Sequence, residues 1–158
     1  MRWLEHWTPD SERERFAGAA RPVLLVEDDE VDILSVKRSF QELAIESALK
    51  VARSGEEALA FLRDPGNPRP SLILLDIKMP GMDGREFLAE LRRDPTLRPA
   101  PVVVLTTSRD EADVTRMYDL GIAAYLVKPT AAQEFTEMMR NLMRFWSMSE
   151  KPPPPAAQ

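Results

Sequence analysis

Four aliphatic runs along this chain each stop at a polar residue. Val23-Leu24-Leu25-Val26 leads into Glu27-Asp28-Asp29, and Leu72-Ile73-Leu74-Leu75 into Asp76. Val102-Val103-Val104-Leu105 leads into Thr106, and Tyr125-Leu126-Val127 into Lys128-Pro129. Unbroken runs of this length suit strands buried on both faces, as in a parallel sheet covered by helices. Between them the apolar spacing changes. Ile33, Val36, Phe40 and Leu43 follow a helical period, and residues 49–52 read as a short further strand. Ser54-Gly55-Glu56-Glu57 has the form of a capping box and opens a helix through Ala58, Leu59, Phe61 and Leu62. Residues 64–70 are dense in turn formers and read as a loop. Asp83-Gly84-Arg85-Glu86 begins a helix with Phe87, Leu88 and Leu91 inward. Ser108-Arg109-Asp110-Glu111 is expected to cap a fourth helix through Val114, Met117 and Tyr118, ending at Gly121. Thr130-Ala131-Ala132-Gln133 is expected to cap a fifth, with the stripe Phe135, Met138, Met139, Leu142, Phe145 and Trp146.

Five strands thus alternate with five helices. Such alternation implies right-handed crossovers and a doubly wound α/β sheet. In that architecture ligands bind beyond the carboxyl ends of the strands. The polar residues closing the four runs therefore share one edge, and that edge is a candidate site.

Glu27, Asp28 and Asp76 come from two strands that would be neighbours in this topology. Carboxylates packed together repel one another unless a cation sits among them or some are protonated. Mg²⁺ takes oxygen ligands in an octahedron and retains waters, so two or three carboxylates suffice. Lys128 adds a positive charge, and the Thr106 hydroxyl can donate to a phosphoryl oxygen. The set suits an aspartate that attacks phosphorus and becomes an acyl phosphate, with cations neutralising the transferring group. Each residue alone has a plainer role. Acidic groups at 27–29 suit a helix N-terminus, and Asp29 is assigned to that cap and left out of the metal shell. Thr106 alone reads as a backbone-bonded hydroxyl, and Lys128 alone as a solvated cation. Convergence of five groups at four strand ends decides for a site.

Those segments together resemble the receiver domain of two-component response regulators. The resemblance rests on Val23 to Asp29, Leu75-Asp76-Ile77-Lys78-Met79-Pro80-Gly81-Met82-Asp83-Gly84, Leu105-Thr106 and Tyr125-Leu126-Val127-Lys128-Pro129. It implies a flavodoxin-like (βα)5 sandwich with parallel strand order 2-1-3-4-5. It implies that Asp76 accepts phosphate from the phosphohistidine of a sensor histidine kinase. Asp28 and Asp76 would bind Mg²⁺, with Glu27 helping and Lys78 ligating through its main-chain carbonyl. Thr106 and Tyr125 resemble the switch pair, and Lys128 the phosphate-contacting lysine with a cis peptide to Pro129. On phosphorylation, Thr106 would approach the new group and Tyr125 would turn inward. That motion would repack the fourth helix, fifth strand and fifth helix for protein partners. Loss of the phosphate would be a slow timer, so the chain is not expected to be an enzyme. Thr107-Ser108 departs from the small residue common after the switch threonine, and Lys78 and Ser108 occupy positions that tune acyl-phosphate lifetime. Residues 105–114, with Phe145-Trp146, resemble the stand-alone regulators paired with phytochrome-type and other sensor kinases.

The remaining features bound this picture. The receiver is expected over residues 21–147, with an extension at 1–20 and a proline-rich tail at 148–158. Nothing in that tail has room for a DNA-binding domain, and a net charge of -5 gives no general attraction to nucleic acid or anionic lipid. No stretch nears the ~20 apolar residues of a spanning helix, and there is no cysteine. A cytoplasmic protein is expected. Trp3, Leu4 and Trp7 share a face that suits either a short docked helix or, preferably, a weakly ordered segment; His6 has no companion ligands. The aromatic and methionine surplus of the fifth helix reads as core plus a hydrophobic cap or as a homodimer surface. A phosphatase is the competing activity, but Lys78 stands where such an enzyme commonly places its general acid. Nucleotide binding lacks a glycine-rich loop.

Overall fold

The computed structural model describes residues 21–45 and 49–152. The expectations for residues 1–20, including Trp3, Leu4, His6 and Trp7, and for the prolines beyond Pro152 lie outside these. Strands β1 (Val23–Val26), β2 (Leu49–Ala52), β3 (Leu72–Leu75), β4 (Val102–Thr106) and β5 (Ala124–Val127) alternate with five helices. These are α1 (Glu30–Glu42), α2 (Gly55–Arg63), α3 (Gly84–Arg93), α4 (Glu111–Asp119) and α5 (Ala132–Met148). The sheet is parallel throughout, in the order β2-β1-β3-β4-β5. This is the flavodoxin-like doubly wound arrangement expected from the alternation.

Side chains on successive strand residues point to opposite faces, so each continuous aliphatic run feeds two cores. Leu24, Val26, Ile73, Leu75, Val102 and Val104 pack with Ala58, Leu59, Phe87, Leu88 and Leu91 of α2 and α3. Val23, Leu25, Leu72, Leu74, Val103 and Leu105 pack with Ile33, Val36 and Phe40 of α1 and with Phe135, Met139 and Met143 of α5. Each such side chain contributes roughly 1.5–3 kcal/mol by leaving water. Both layers are needed to cover β1, β3 and β4, whose residues are all buried.

Burial on both faces fails for β5, where all four residues are only half-buried. It is the last strand of the sheet, paired on one side by β4. The stripe on α5 is also shifted. Phe135, Met139, Met143 and Trp146 are buried, whereas Phe145 is 63% exposed. Adjacent helix residues are turned ~100° apart, so Phe145 and Trp146 cannot both face the sheet. On α4 only Met117 is buried, and Tyr118, expected inward, is exposed.

Caps followed the chemistry more closely than their expected positions. Asp29, Ser54 and Asp83 each accept a main-chain N–H three residues on, as anticipated. At α4 the cap is Asp110, which accepts from Ala112 N, and not Ser108. The carboxylate directly before the helix outcompetes a hydroxyl two residues earlier. At α5 the cap is Ala131, with no side-chain bond, because Thr130 stands one residue too early. Gly121, at φ +78, ends α4 with bonds from its N–H to Tyr118 O and from Ile122 N to Met117 O. The Arg92 guanidinium closes that end, donating to Leu120 O at 2.8 Å and Gly121 O at 2.9 Å. After α5, Lys151 and Pro152 fold back: Lys151 lies over the Trp146 ring and Arg21 donates to Pro152 O. The start of the tail is therefore packed.

Helix α1 ends in the same motif with alanine in the glycine position. Ala44 has φ +59, and Ile45 N donates to Phe40 O at 2.8 Å. A β-carbon is disfavoured there. Ala44→Gly is expected to raise unfolding free energy by about 1 kcal/mol, read as a higher midpoint in urea denaturation with an unchanged slope.

Candidate functional site

The sheet register assembles the site. Val26 pairs with Leu75, and Asp76 N donates to Val26 O at 3.0 Å, so β1 and β3 deliver Glu27 and Asp76 side by side. Thr106 pairs with Val127, and Lys128 N donates to Thr106 O at 2.8 Å, which carries Lys128 to the same rim. Beyond β3 the chain must turn tightly into α3. Gly84 N donates to Ile77 O at 2.9 Å, and a β-carbon on Gly84 would collide with the Asp76 carbonyl and the Ile77 α-carbon. That close approach requires glycine and fixes the loop holding Asp76.

Carboxylate oxygens of Glu27, Asp28 and Asp76 lie within 4.8 Å of one another. Glu27 and Asp76 are buried, and Asp28 is half-buried at the mouth. The Lys128 ammonium sits 2.7 Å from Glu27 Oε2, 2.8 Å from Asp32 Oδ2 and 3.9 Å from Asp76 Oδ1. It is buried and pinned, not the solvated cation a lone lysine would be. Glu27 Oε1 accepts the Asp29 N–H at 3.1 Å, so both its oxygens are engaged.

Burial pushes the Glu27 carboxyl up to about 7, against the pull of the Lys128 hydrogen bond and charge. Burial also raises Asp76, opposed by the Lys128 charge, the Thr106 hydroxyl and Glu27. Lys128 is drawn down by burial, but Asp32, Glu27 and Asp76 outweigh it and hold the ammonium above its ordinary value. The lysine alone thus leaves carboxyls that cling to protons. A hard divalent cation bound by oxygen ligands fits this donor set.

Glu27, Asp28, Asp76, Thr106 and Lys128 meet at the rim as expected. Thr106 is fully buried against Asp76. Tyr125 lies beside the strand ends with its hydroxyl donating to Ser108 O at 2.9 Å, and its ring packs on the α2–α3 core. It is half-buried, neither enclosed in the core nor free in solvent. Lys78 is exposed in the loop after β3, which leaves its main-chain carbonyl as what it could lend the pocket. The peptide from Lys128 to Pro129 is not cis, since no cis bond occurs among the described residues. The trans isomer is the one X–Pro amides prefer by about 0.5–1 kcal/mol.

Asp32 and the partners of Ser108 escaped the sequence. Asp32, in the first turn of α1, is the second anion on Lys128; its only signal was an acid one turn past the Glu27-Asp28 pair. Ser108 joins Asp113 through its hydroxyl at 2.7 Å, and Asp113 in turn pairs with Arg85 of α3 at 3.1 Å. No spacing rule links 85 with 113.

Known proteins are similar in sequence and fold. The model of the response regulator receiver domain matches residues 23–140. Response regulator Rcp1 of Synechocystis sp. is 41% identical over 128 residues, spanning 78% of this chain and 87% of Rcp1. The crystal structure of the phosphorylated cyanobacterial phytochrome response regulator RcpA superposes with a TM-score of 0.79 at 37% identity, covering 85% of this chain and 100% of RcpA. The Mn²⁺-bound form of Rcp1 gives a TM-score of 0.77 at 39% identity, covering 84% and 99%. With the strand order, the rim carboxylates and Lys128 in place, this chain belongs to the response regulator receiver domain family of two-component systems.

Proposed function

We propose that Asp76 accepts a phosphoryl group from the phosphohistidine of a sensor histidine kinase, and that the modified chain signals through protein contacts. The observation that carries this reading is Asp76 itself, buried between acid neighbours, with the Lys128 ammonium 3.9 Å away and the Thr106 hydroxyl against it. An Asp76 carboxylate oxygen forms the new bond to phosphorus. The bond from phosphorus to the histidine nitrogen breaks, and its electron pair stays on the imidazole. Lys128 and Thr106 supply a charge and a donor for the phosphoryl oxygens. Glu27, Asp28, Asp76 and the Lys78 carbonyl would hold Mg²⁺, which would neutralise charge on the transferring group. Return of the phosphate to water is slow and serves as a timer, not as turnover of a substrate.

Kinships support the input side. RcpA was solved as a phosphorylated cyanobacterial phytochrome response regulator, and response regulator Rcp1 in an Mn²⁺-bound form. The partner kinase is accordingly read as phytochrome-like, and the exchange as cytoplasmic. For output, Tyr125, Ser108 and Asp113 join the pocket rim to α4, so a shift at Thr106 reaches α4, β5 and α5. An open apolar groove on that side is lined by Ala124, Leu126, Met138, Leu142 and Phe145. It suits a second copy of this chain, because the exposed apolar residues adjoin an edge strand.

Three outcomes follow. Acetyl phosphate with Mg²⁺ is expected to add one phosphoryl group by intact mass spectrometry, and Asp76→Asn to take none; addition to that variant would move the acceptor elsewhere. The Glu27 carboxyl is raised from 4.5 to about 7 on folding, so its contribution to stability is full below the unfolded value and fades as pH rises through about 7. A divalent cation needs the deprotonated form. Calorimetry should therefore show a larger Mg²⁺-induced rise in Tm at about pH 8 than at about pH 6, with Glu27→Gln flattening that difference. Sedimentation of the phosphorylated chain should give a dimer that Phe145→Ala weakens at least about tenfold. Equal dimer constants would exclude the groove.

A further inference from the structure

Lys128 has three N–H donors, and their distribution is uneven. Glu27 at 2.7 Å and Asp32 at 2.8 Å take two, while Asp76, the group this lysine would serve, stands at 3.9 Å and beyond hydrogen-bonding reach. The two partners that hold the ammonium are fixed by local structure. Glu27 is tied through its other oxygen to the Asp29 N–H at 3.1 Å. Asp32 is tied through its own N–H to the Asp29 carboxylate at 3.0 Å, inside the cap of α1. They differ in exposure. The Glu27 side chain is 2% exposed and that of Asp32 is 35%, so Asp32 forms the solvent-facing wall around the ammonium. Water screens that pair, which makes it the exchangeable one.

We propose that Asp32 is a positioning residue: it parks the Lys128 ammonium away from Asp76 until a phosphoryl group arrives, and so sets both loading rate and cation affinity. This rests on Asp76 being the acceptor. Phosphorylation raises the charge at Asp76 from about −1 toward about −2 and adds oxygens that extend into the 3.9 Å gap. Lys128 then exchanges Asp32 for a phosphoryl oxygen while keeping Glu27. The Asp32 carboxylate competes with Asp76 for the ammonium during transfer. It also keeps Lys128 from crowding the carboxylates that a divalent cation needs, and its own charge favours that cation.

Loss of the Asp32 charge therefore has two effects of opposite sense. Loading speeds up, because the ammonium leans on Asp76 with no rival anion. Cation uptake weakens, because Lys128 crowds the carboxylates and the pocket carries one negative charge fewer. A packing defect would depress both.

The test uses the full chain as wild type, Asp32→Asn and Asp32→Glu. Loading by acetyl phosphate at saturating Mg²⁺ is followed by intact mass spectrometry; an Asp76 oxygen bonds to phosphorus as the acetate oxygen leaves with its electron pair. Separately, Mg²⁺ is titrated without any phosphoryl donor, reading the amide resonances of Asp76 and Ile77. Asp32→Asn is expected to load at least about threefold faster and to need at least about threefold more Mg²⁺ for half-saturation, and Asp32→Glu to restore both to within about twofold. An unchanged loading rate, an unchanged Mg²⁺ midpoint, slower loading, or Asp32→Glu behaving as Asp32→Asn would each overturn the proposal. A wild type that takes no phosphoryl group at Asp76 overturns the acceptor reading instead. The donor-free titration then still decides whether Asp32 governs the cation pocket.

Discussion

Two buried carboxylates must stand side by side at the rim of this sheet, and most of the site follows from that constraint. Parallel pairing of β1 with β3 in the register Val26 to Leu75 leaves Glu27 and Asp76 as adjacent strand extensions. In a poorly solvated setting, like charges so placed hold protons or demand cations. Lys128 supplies one cation, brought by a strand two places away, and its position depends on the same uninterrupted ladder through β4. Removing the lysine would strand the acids; removing the acids would strand a buried ammonium. Each is tolerated because the other is there.

That mutual dependence makes the pocket sensitive to added charge. A phosphoryl group on Asp76, as proposed, would change the local charge without changing the fold, and only groups able to move would answer it. In the proposed reading Thr106, Tyr125 and the loop between β4 and α4 would be such groups. Tyr125 already donates to Ser108 O, and the Ser108 hydroxyl joins Asp113, which Arg85 ties to α3. The path from the pocket to α4 is thus made of short polar contacts in a half-buried loop. Such contacts exchange partners at small cost, whereas the aliphatic layers on either side of β3 do not.

Fold and site were legible in the sequence to different depths. Strand ends could be read because the doubly buried strands have a one-letter grammar: aliphatic until the rim, polar at it. Glu27, Asp28, Asp76, Thr106 and Lys128 all followed from that grammar. Pairings made across the rim could not. Asp32 meets Lys128 from the first turn of a helix, 96 residues away, and nothing local distinguishes it from a residue serving the helix dipole. Likewise, the segment from Ser108 to Glu111 offered two capping side chains, and Asp110, directly before the helix, took the position. The trans peptide at Pro129 came from neither pattern nor spacing, since both isomers satisfy the same sequence.

The elements that read least well were those outside the covered core. β5 is half-buried, α4 buries a single side chain, and Phe145 and Tyr118 face outward. Amphipathic spacing predicts inward faces on the assumption that every apolar residue has a partner within the chain. At α4, β5 and α5 that assumption fails. A domain that buried these residues internally would have a more regular pattern and no apolar surface to alter. The mismatch between pattern and burial there leaves apolar side chains exposed beside an edge strand, which is the surface the proposed dimer contact would cover.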